Sequence, residues 1–294
     1  MKGRSQLDVL TPSGWKDYEL LDSGNGQKLE RFGPYTFVRP EAQAIWKPGL
    51  PQEAWDKAHG TFRGTDDAGS RWFFPKEIEP RWQMSYERLT FWTQPTPFRH
   101  MGLFPEQASH WEWMTPLIQG AKREVKVLNL FAYTGLATLA ASAAGAHVTH
   151  VDASKKVVHW ASENHRLSGL GERPVRWIVD DALKFVKREG RRGARYDGFI
   201  IDPPKYGRGP EGELWQIETS LAGLLEECRA VASERPLFLI LTCYAAQLSP
   251  VSLANIVGDA MAGKGGQVTA GELANVEKSK GRLLPTAIFA RWRG

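Results

Sequence analysis

The stretch Val125-Lys-Val-Leu-Asn-Leu-Phe-Ala-Tyr-Thr-Gly135 decides the fold of this 294-residue chain. Its apolar run predicts a buried strand at 125–131, and the small residues from Ala137 to Ala146 predict a helix that presses closely on a sheet. Further apolar runs, separated by helical segments, predict strands at 147–151, 175–179, 197–201 and 236–242. Strands that alternate with helices indicate an α/β protein with a doubly wound parallel sheet, in which ligands bind at the carboxyl ends of the strands.

The two ends of the chain have sequence patterns that differ from the strand–helix alternation of the middle. Residues 266–271 and 284–292 predict two more strands, which makes a seven-stranded sheet with an antiparallel strand at or near its edge. Residues 1–98 are rich in Gly, Pro and aromatic residues, and their short alternating segments predict a small β-rich N-terminal module. We therefore expect two domains, 1–98 and 99–294, with a linker at Gln94-Pro-Thr-Pro97.

The composition is that of an ordinary globular protein, with 42% hydrophobic and 24% charged residues. The chain has no run of about 18 apolar residues and no apolar signal segment at its N-terminus, so we expect a cytoplasmic protein without a membrane span. The 2 cysteines and 7 histidines lack metal-ligand spacing, so no metal site is predicted. A net charge of +5 with 12 tryptophans favours a polyanionic partner, although such rings fill a core equally well.

The turn after the first strand limits the kind of cofactor. A nicotinamide dinucleotide calls for G-x-G-x-x-G, whose glycines admit a pyrophosphate at a helix N-terminus. Here the turn has one glycine and the bulky Tyr133, which argues against a dehydrogenase. A nucleotide-like cofactor without phosphates fits better, with Asp152 accepting hydrogen bonds from two ribose hydroxyls and Asp181 accepting one from an adenine amine.

Five ordered motifs follow one another along the chain: Phe131-Ala-Tyr-Thr-Gly135, Val151-Asp-Ala-Ser154, Trp160-Ala-Ser-Glu-Asn164, Asp180-Asp-Ala182 and Asp202-Pro-Pro-Lys-Tyr206. They resemble the motifs of the class I S-adenosylmethionine-dependent methyltransferases, and among them those of the bacterial large-subunit ribosomal RNA methyltransferases of the cytosine-C5 and related type. The resemblance is strong over 100–294 and weak before it. It implies a Rossmann-like sheet, S-adenosylmethionine as cofactor, S-adenosylhomocysteine as product and an RNA base as acceptor. Relatives often carry an extra N-terminal RNA-binding module, which we expect this chain to lack.

The same resemblance implies a set of cofactor contacts. The residues are Phe104, Gln107, Phe131, Tyr133, Thr134, Gly135, Asp152, Ala153, Ser154, Asp181 and Asp202. Phe104 and Gln107 would help to close the methionine end of the cofactor. Asp152 has the alternative role of a helix N-cap, and we expect Asp180, not Asp181, to cap the helix after the third predicted strand.

The acceptor end of the site is predicted at Asp202-Pro203-Pro204-Lys205. Two prolines fix φ and interrupt the strand ladder, so backbone carbonyls can point into the site. The resemblance implies that this corner holds the target base or the amino group of the donor, and the alternative is a simple strand-ending turn. Lys205 either binds a phosphate or is solvated. The glycines at 207, 209 and 212 predict a flexible loop beside it.

Cys243 distinguishes between two reactions. Carbon 5 of cytosine accepts a methyl group only after a thiolate has added to carbon 6. Thr242-Cys243 resembles the Thr-Cys pair of the RNA cytosine-C5 enzymes, but Tyr244 stands where that family usually has a small polar residue. The two hypotheses for Cys243 are a catalytic nucleophile and a small apolar core residue.

The predicted function is S-adenosylmethionine-dependent methylation of an RNA base, with ribosomal RNA favoured and cytosine C5 among the candidate atoms. The alternatives are a methyltransferase that acts on a small molecule or a protein, and a non-catalytic RNA-binding module that retains a cofactor pocket. The basic run from Lys184 to Arg195 is interpreted as a solvated helix end, not as a substrate groove. The oligomeric state is not predicted.

Overall fold

The computed structural model describes residues 6–64, 71–244 and 247–294. Within these ranges the strands are β1 (Asp8–Leu10), β2 (Tyr18–Gly24), β3 (Gln27–Phe32), β4 (Tyr35–Pro40), β5 (Gly60–Arg63), β6 (Arg71–Phe73), β7 (Trp82–Tyr86), β8 (Leu89–Thr93), β9 (Lys126–Leu130), β10 (His147–Asp152), β11 (Val175–Val179), β12 (Gly198–Ile201), β13 (Tyr206–Arg208), β14 (Leu214–Gln216), β15 (Phe238–Cys243), β16 (Gln267–Val276) and β17 (Leu283–Arg293). The helices are α1 (Gln52–Asp56), α2 (Ala108–Gly120), α3 (Leu136–Ala143), α4 (Lys155–Leu167), α5 (Ala182–Arg191), α6 (Ile217–Ala230) and α7 (Pro250–Ala260). A short 3-10 helix, Pro105–Gln107, precedes α2.

The chain forms two compact units. The first contains the residues up to Leu10, Ser109–Leu273 and Ala287–Gly294, and the second contains Thr11–Ala108 and Ala274–Thr286. The second unit therefore includes a segment from near the C-terminus, which the sequence does not indicate. The division into domains at 1–98 and 99–294 stays a proposal.

The first unit is built on an eight-stranded sheet in the order β1-β16-β17-β15-β12-β9-β10-β11. β9 is parallel to both β10 and β12, and β12 is parallel to β15, so the carboxyl ends of these strands share one edge. The predicted doubly wound α/β sheet is confirmed, but it has eight strands and not seven, because β1 pairs in parallel with β16. β17 runs antiparallel to β15 inside the sheet and not at its margin.

The central strands are buried along their whole length. Every residue of β12 and β15 is buried, the pattern of a strand that is covered on both faces. Gly198 begins β12, and a Cβ there would lie 2.5 Å from the Phe238 ring of the neighbouring strand. Each large side chain buried in this way contributes about 1.5–3 kcal/mol to the free energy of folding. The tight packing fixes the strand ends that carry the candidate site.

The second unit is β-rich, as the sequence predicts for the N-terminal region. β2, β3, β4, β5 and β6 form one sheet in chain order, and β7 pairs with β8. Aromatic rings fill the interior: Trp82 stacks on Phe37 with the ring centroids 5.9 Å apart, and both side chains are buried.

A buried polar cluster joins the two chain segments of the second unit. The carboxylate of Asp22 accepts hydrogen bonds from Gly49 N, Leu50 N, Trp55 Nε1 and Ser279 Oγ. Ser23 donates from its hydroxyl to the buried Glu277, and the Lys278 amide donates to the Leu20 carbonyl at 2.9 Å. Because buried polar groups cost free energy when they lack partners, the late segment completes this unit.

Candidate active site

The turn between β9 and α3 has a constrained backbone. Phe131 and Tyr133 have φ values of 56° and 49°, in the left-handed region that is costly for residues other than glycine. Gly135 has a φ of 85°, and a Cβ at this position would lie 2.7 Å from the Cβ of Ala161 on α4. Asn164 of α4 donates from Nδ2 to the Thr134 carbonyl at 3.0 Å. The turn is therefore held by α4, and only glycine fits where α3 begins.

Asp152 ends β10 beside this turn, and its carboxylate is half-buried. Oδ2 accepts from the Tyr133 amide at 3.0 Å and Oδ1 from the Ser154 amide at 2.9 Å. Burial raises the pKa of this carboxyl, and the two amide hydrogen bonds oppose that rise. The N-cap of α4 is Ser154, whose Oγ accepts from the Val157 amide at 3.4 Å, with Ala153 between it and Asp152. Each oxygen of Asp152 retains lone-pair capacity for a ligand, since a carboxylate can accept about four hydrogen bonds.

A series of buried hydrogen bonds links β9, the start of α3 and β10 around the turn. Asn129 of β9 donates from Nδ2 to Thr138 Oγ1 at 2.9 Å. The Thr138 hydroxyl also forms a hydrogen bond with Nδ1 of His150 on β10 at 3.0 Å. Burial lowers the pKa of His150 to about 3, so its ring is neutral. These residues support the site but belong to no motif, and their only sequence signal is a polar residue inside an apolar run.

Two acidic residues follow β11 and have different roles. Asp181 is the N-cap of α5, with Oδ1 accepting from the Lys184 amide at 2.9 Å. Asp180 accepts from Nη2 of Arg188 at 2.5 Å and from the Asp181 amide at 2.8 Å. The prediction that Asp180 caps the helix is wrong, because the free amides at the start of α5 face Asp181. The cap uses one carboxylate oxygen of Asp181, and its contact with adenine stays a prediction.

β12 ends in the corner Asp202-Pro203-Pro204-Lys205. The register of β12 with β9 and β15 brings Asp202 to the same edge as the turn after β9. Pro203 is buried, whereas Asp202 and Lys205 are half-buried. Lys205 Nζ lies 5.5 Å from the centroid of the Tyr206 ring. The corner therefore brings an acidic group and a cation together beside the turn.

The glycine-containing segment after the corner forms a hairpin, where the sequence predicts a flexible loop. β13 and β14 pair in antiparallel fashion, with Gly207 opposite Trp215. Trp215 donates from Nε1 to the Pro204 carbonyl at 2.7 Å, and its ring centroid lies 4.8 Å from that of Phe131. This tryptophan, which the sequence reasoning missed, connects the hairpin to both the corner and the turn.

Cys243 is the last residue of β15 and is 1% exposed. Burial raises the pKa of its thiol, and the nearby Asp202 carboxylate raises it further. Since the thiolate is the nucleophilic form, these surroundings favour the unreactive thiol. Cys243 is thus close to Asp202, as the strand order predicts, in the environment of a core residue.

Thr242, the residue before this cysteine, ends a second series of buried hydrogen bonds. Arg291 donates from Nε to Nδ1 of His110 at 2.8 Å and from Nη2 to the Ser109 carbonyl at 2.7 Å. Because Nδ1 accepts, the hydrogen of the ring is on Nε2, which lies 2.9 Å from Thr242 Oγ1 and donates to it. Burial lowers the pKa of Arg291 to about 9. This series of hydrogen bonds fixes the carboxyl end of β15 and was not predicted from the sequence.

Phe104 and Gln107 lie in the second unit, at the short 3-10 helix. Phe104 precedes that helix in an extended conformation, with its ring centroid 5.1 Å from the His100 ring. The Gln107 amide donates to the Phe104 carbonyl at 3.1 Å. Their role at the cofactor stays a prediction.

Neither a metal-binding group nor a membrane-crossing helix is present in the part of the chain that the structure describes. No group of three or more His, Cys, Asp or Glu side chains there is arranged to hold a metal ion. No described helix combines the length and the apolar character that a membrane crossing requires.

Several curated proteins are similar to part of this chain. A ribosomal RNA large subunit methyltransferase K/L of Hahella chejuensis is 33% identical over 140 residues, which are 47% of this chain and 18% of that protein. A protein of the same name from Methylococcus capsulatus is 37% identical over 117 residues, or 40% of this chain and 15% of that protein. The chain spans less than a fifth of the length of these relatives.

Solved structures match over a greater length. The S-adenosylmethionine-dependent methyltransferase of Agrobacterium tumefaciens is 47% identical with a TM-score of 0.93, covering 100% of this chain and 97% of that one. SMU.776, described as a methyltransferase and complexed with S-adenosylhomocysteine, shares the fold with a TM-score of 0.75 at 18% identity, over 95% of this chain and 76% of that one. The sequence profile of the S-adenosylmethionine-dependent methyltransferases matches residues 59–214. Together with the strand-edge site built from the turn, Asp152 and the corner at Asp202, these matches show that the chain belongs to the family of S-adenosylmethionine-dependent methyltransferases.

Proposed function

We propose that this protein transfers the methyl group of S-adenosylmethionine to a base in RNA, with ribosomal RNA as the favoured substrate. One observation carries the proposal: the identities of 33% and 37% to proteins named as ribosomal RNA large subunit methyltransferases. The net charge of +5 agrees with a polyanionic substrate. A ribosomal RNA substrate in turn implies a cytoplasmic location.

The residues around the first turn suit this cofactor. S-adenosylmethionine supplies an already activated methyl group, so the protein mainly has to bind, align and exclude water. Asp152 receives one backbone amide on each carboxylate oxygen and keeps acceptor capacity on both, which suits the two ribose hydroxyls. The single glycine at Gly135 and the ring of Tyr133 suit a ligand without a pyrophosphate. We assign the remaining cofactor contacts on the first unit to Phe131, Thr134, Ala153, Ser154, Asp181 and Asp202.

The corner after β12 supports the placement of the acceptor. The carboxylate of Asp202 can accept from an amino group of the target base or of the donor. Pro203 has no N–H and fixes its own φ, so it ends the ladder and leaves the backbone carbonyls there for a ligand. We assign Lys205 to a phosphate of the substrate, since it is half-buried at the same corner.

Transfer to carbon 5 of cytosine is the version of the proposal that needs Cys243. In that version the thiolate adds to carbon 6, carbon 5 takes the methyl group, a base removes the carbon-5 proton and the thiolate leaves. The raised pKa of the thiol weighs against it. We therefore expect Cys243→Ala to retain methyl transfer, measured as labelled methyl incorporated into RNA, to the same extent as the buried-cysteine control Cys228→Ala. Loss of transfer in Cys243→Ala alone, with unchanged S-adenosylhomocysteine affinity, would instead assign carbon 5 as the acceptor.

The function is tested by methyl labelling. Purified protein and labelled S-adenosylmethionine are added to an extract of cells that lack the gene, and RNA, protein and small molecules are then separated. We expect the label in RNA, with a rate that falls steeply as salt increases, because phosphate contacts release counterions. Label found only in protein or in small molecules would contradict the proposal. S-adenosylhomocysteine binding without any labelling would favour a non-catalytic module.

A further inference from the structure

The hairpin of β13 and β14 has two different faces. Tyr206 pairs with Gln216 and Arg208 with Leu214, while Gly207 pairs with Trp215 between them. Because side chains alternate across a strand, the first two pairs share one face and Trp215 lies on the other. Trp215 is 6% exposed, whereas Tyr206 is 61% and Leu214 75% exposed. The hairpin therefore has an inner face that is packed and an outer face that is open to solvent.

The inner side of the hairpin is attached to the cofactor site at three places. Trp215 contacts both the Pro204 carbonyl and the Phe131 ring. Lys184, in the first turn of α5, pairs with Glu211 at 2.8 Å and with Glu213 at the tip of the hairpin. A Cβ on Gly209 would lie 3.1 Å from the Cβ of Asp181. The hairpin is thus held across the edge of the sheet, from the corner after β12 to the start of α5.

The outer face combines aromatic, aliphatic and cationic groups. Tyr206 and Leu214 are diagonal neighbours on one face of an antiparallel pair, within reach of each other. Lys205 lies over the edge of this face, with Nζ 5.5 Å from the Tyr206 centroid, and Arg208 is exposed beside Leu214. Neither cation forms an ion pair with a residue that the structure describes. The acidic groups of the hairpin tip are both engaged by Lys184.

We propose that this outer face, formed by Lys205, Tyr206, Arg208, Leu214 and Gln216, binds the single-stranded RNA that flanks the methylated base. The inference rests on the proposed function and adds where the RNA is held. A base stacks on the open ring of Tyr206 and packs on Leu214, and the phosphates on either side contact Lys205 and Arg208. Two cations that form no ion pair with any described residue favour a polyanion over an apolar protein segment. The surface adjoins the corner at which the acceptor enters, so the RNA strand runs directly into the site.

The test measures RNA and cofactor affinity separately in the full chain. Binding of a fluorescein-labelled single-stranded RNA of about 12 nucleotides and mixed sequence is followed by fluorescence anisotropy. We expect Tyr206→Ala to weaken this binding about tenfold through lost stacking, and Leu214→Ser to weaken it to a smaller extent. Arg208→Gln should make the slope of log affinity against log salt shallower by about 0.7, the value for one phosphate contact on a single strand. S-adenosylhomocysteine affinity, measured by calorimetry, should remain at the wild-type value in all three variants.

Matched controls lie elsewhere on the first unit. Arg195→Gln removes an exposed cation just before β12, and Val251→Ser removes an exposed aliphatic side chain on α7. If the wild-type protein methylates RNA and the hairpin variants bind RNA as well as these controls do, the inference fails and the proposed function stands. If the wild-type protein neither binds nor methylates RNA, both fail. Loss of S-adenosylhomocysteine affinity in Tyr206→Ala or Leu214→Ser would also overturn the inference, since the hairpin would then serve the cofactor.

Discussion

Among single residues, Asp152 is the one whose charge should matter most to cofactor affinity. In Asp152→Asn an amide group replaces an oxygen that now accepts from a backbone N–H, so one of the two amides would face another donor. We expect S-adenosylhomocysteine binding to weaken by about 1.5–3 kcal/mol, the usual value of a hydrogen bond to a charged group. Titration calorimetry measures this loss. The control is Asp259→Asn on the exposed side of α7, and equal affinities in the two variants would remove Asp152 from the site.

The same carboxyl should make cofactor binding depend on pH. Burial raises the pKa of Asp152 above its ordinary value. Because we propose that the ionised form accepts from the ribose hydroxyls, we expect affinity to be full above this raised pKa and to fall as the pH decreases through it, about tenfold for each further pH unit. Calorimetry between about pH 7 and pH 4 follows this loss. In Asp152→Asn this part of the pH dependence should disappear, and its persistence would point to another group.

Gly135 tests how closely the first turn is packed. Gly135→Ala places a Cβ 2.7 Å from Ala161 in a residue with a φ of 85°, and we expect it to lower the free energy of unfolding by about 1–3 kcal/mol. Gly145→Ala is a control for the backbone alone, since Gly145 has a φ of 106° and open space around it. Ala161→Gly, combined with Gly135→Ala, should recover part of the loss. Urea unfolding measures all four proteins, and equal losses in the two glycine variants would show that the contact with Ala161 does not matter.

At the scale of elements, the helix cap that Asp181 forms and its proposed contact with adenine can be separated by substitution. Serine caps a helix about as well as aspartate but has no carboxylate for an adenine amine. We expect Asp181→Ser to keep the stability of the protein and to weaken S-adenosylhomocysteine binding several-fold. Asp181→Ala should lose the cofactor affinity and, in addition, about 1 kcal/mol of stability through the missing cap. Thermal unfolding and calorimetry distinguish the two effects, and full affinity in Asp181→Ser would confine this residue to capping.

The elements of the sheet were predictable because buried parallel strands leave a direct trace in the sequence. The runs predicted at 125–131 and 197–201 coincide with β9 and β12 to within a residue, since each contains an apolar strand that is buried along nearly its whole length. β1 was missed because Asp8–Leu10 is short and pairs with a strand more than 250 positions further along the chain, at Gly271–Leu273. The hairpin of β13 and β14 was missed because its glycines favour a loop and only Trp215 marks its packed face.

In the site, too, the features that depend on the local sequence were predictable, and those that depend on residues far apart in the sequence were not. Asp152 and Asp202 end apolar runs, so their place at the edge of the sheet follows from the run itself. The roles of Asp180 and Asp181 depend on where the first turn of α5 begins, a shift of one residue that the pattern does not resolve. The hydrogen bonds from Arg291 through His110 to Thr242 join three elements that are far apart in the sequence, so no motif spacing predicts them.

At the scale of the whole molecule, the second unit is built from two separated segments. A fragment of residues 11–108 lacks Ser279 and Glu277, so Asp22 and Ser23 would each lose a buried partner at about 1–3 kcal/mol apiece. We expect this fragment to melt without a cooperative transition in circular dichroism. The same fragment, extended by residues 274–286 through a flexible Gly/Ser linker, should melt cooperatively at a higher temperature. Equal melting of the two fragments would show that the late segment does not contribute to stability.

Because the second unit is built from two separated segments, it cannot complete its folding until the later segment has been translated. Domains generally fold as units while the ribosome is still at work, the N-terminal ones first. Here Thr11–Ala108 receives its last segment, Ala274–Thr286, only after the residues between them have been made. β1 likewise cannot pair until β16 has been translated. The nascent chain therefore carries an incomplete, aromatic-rich segment while the residues of the first unit are being made, and a chaperone at the ribosomal exit would meet the segment in that state.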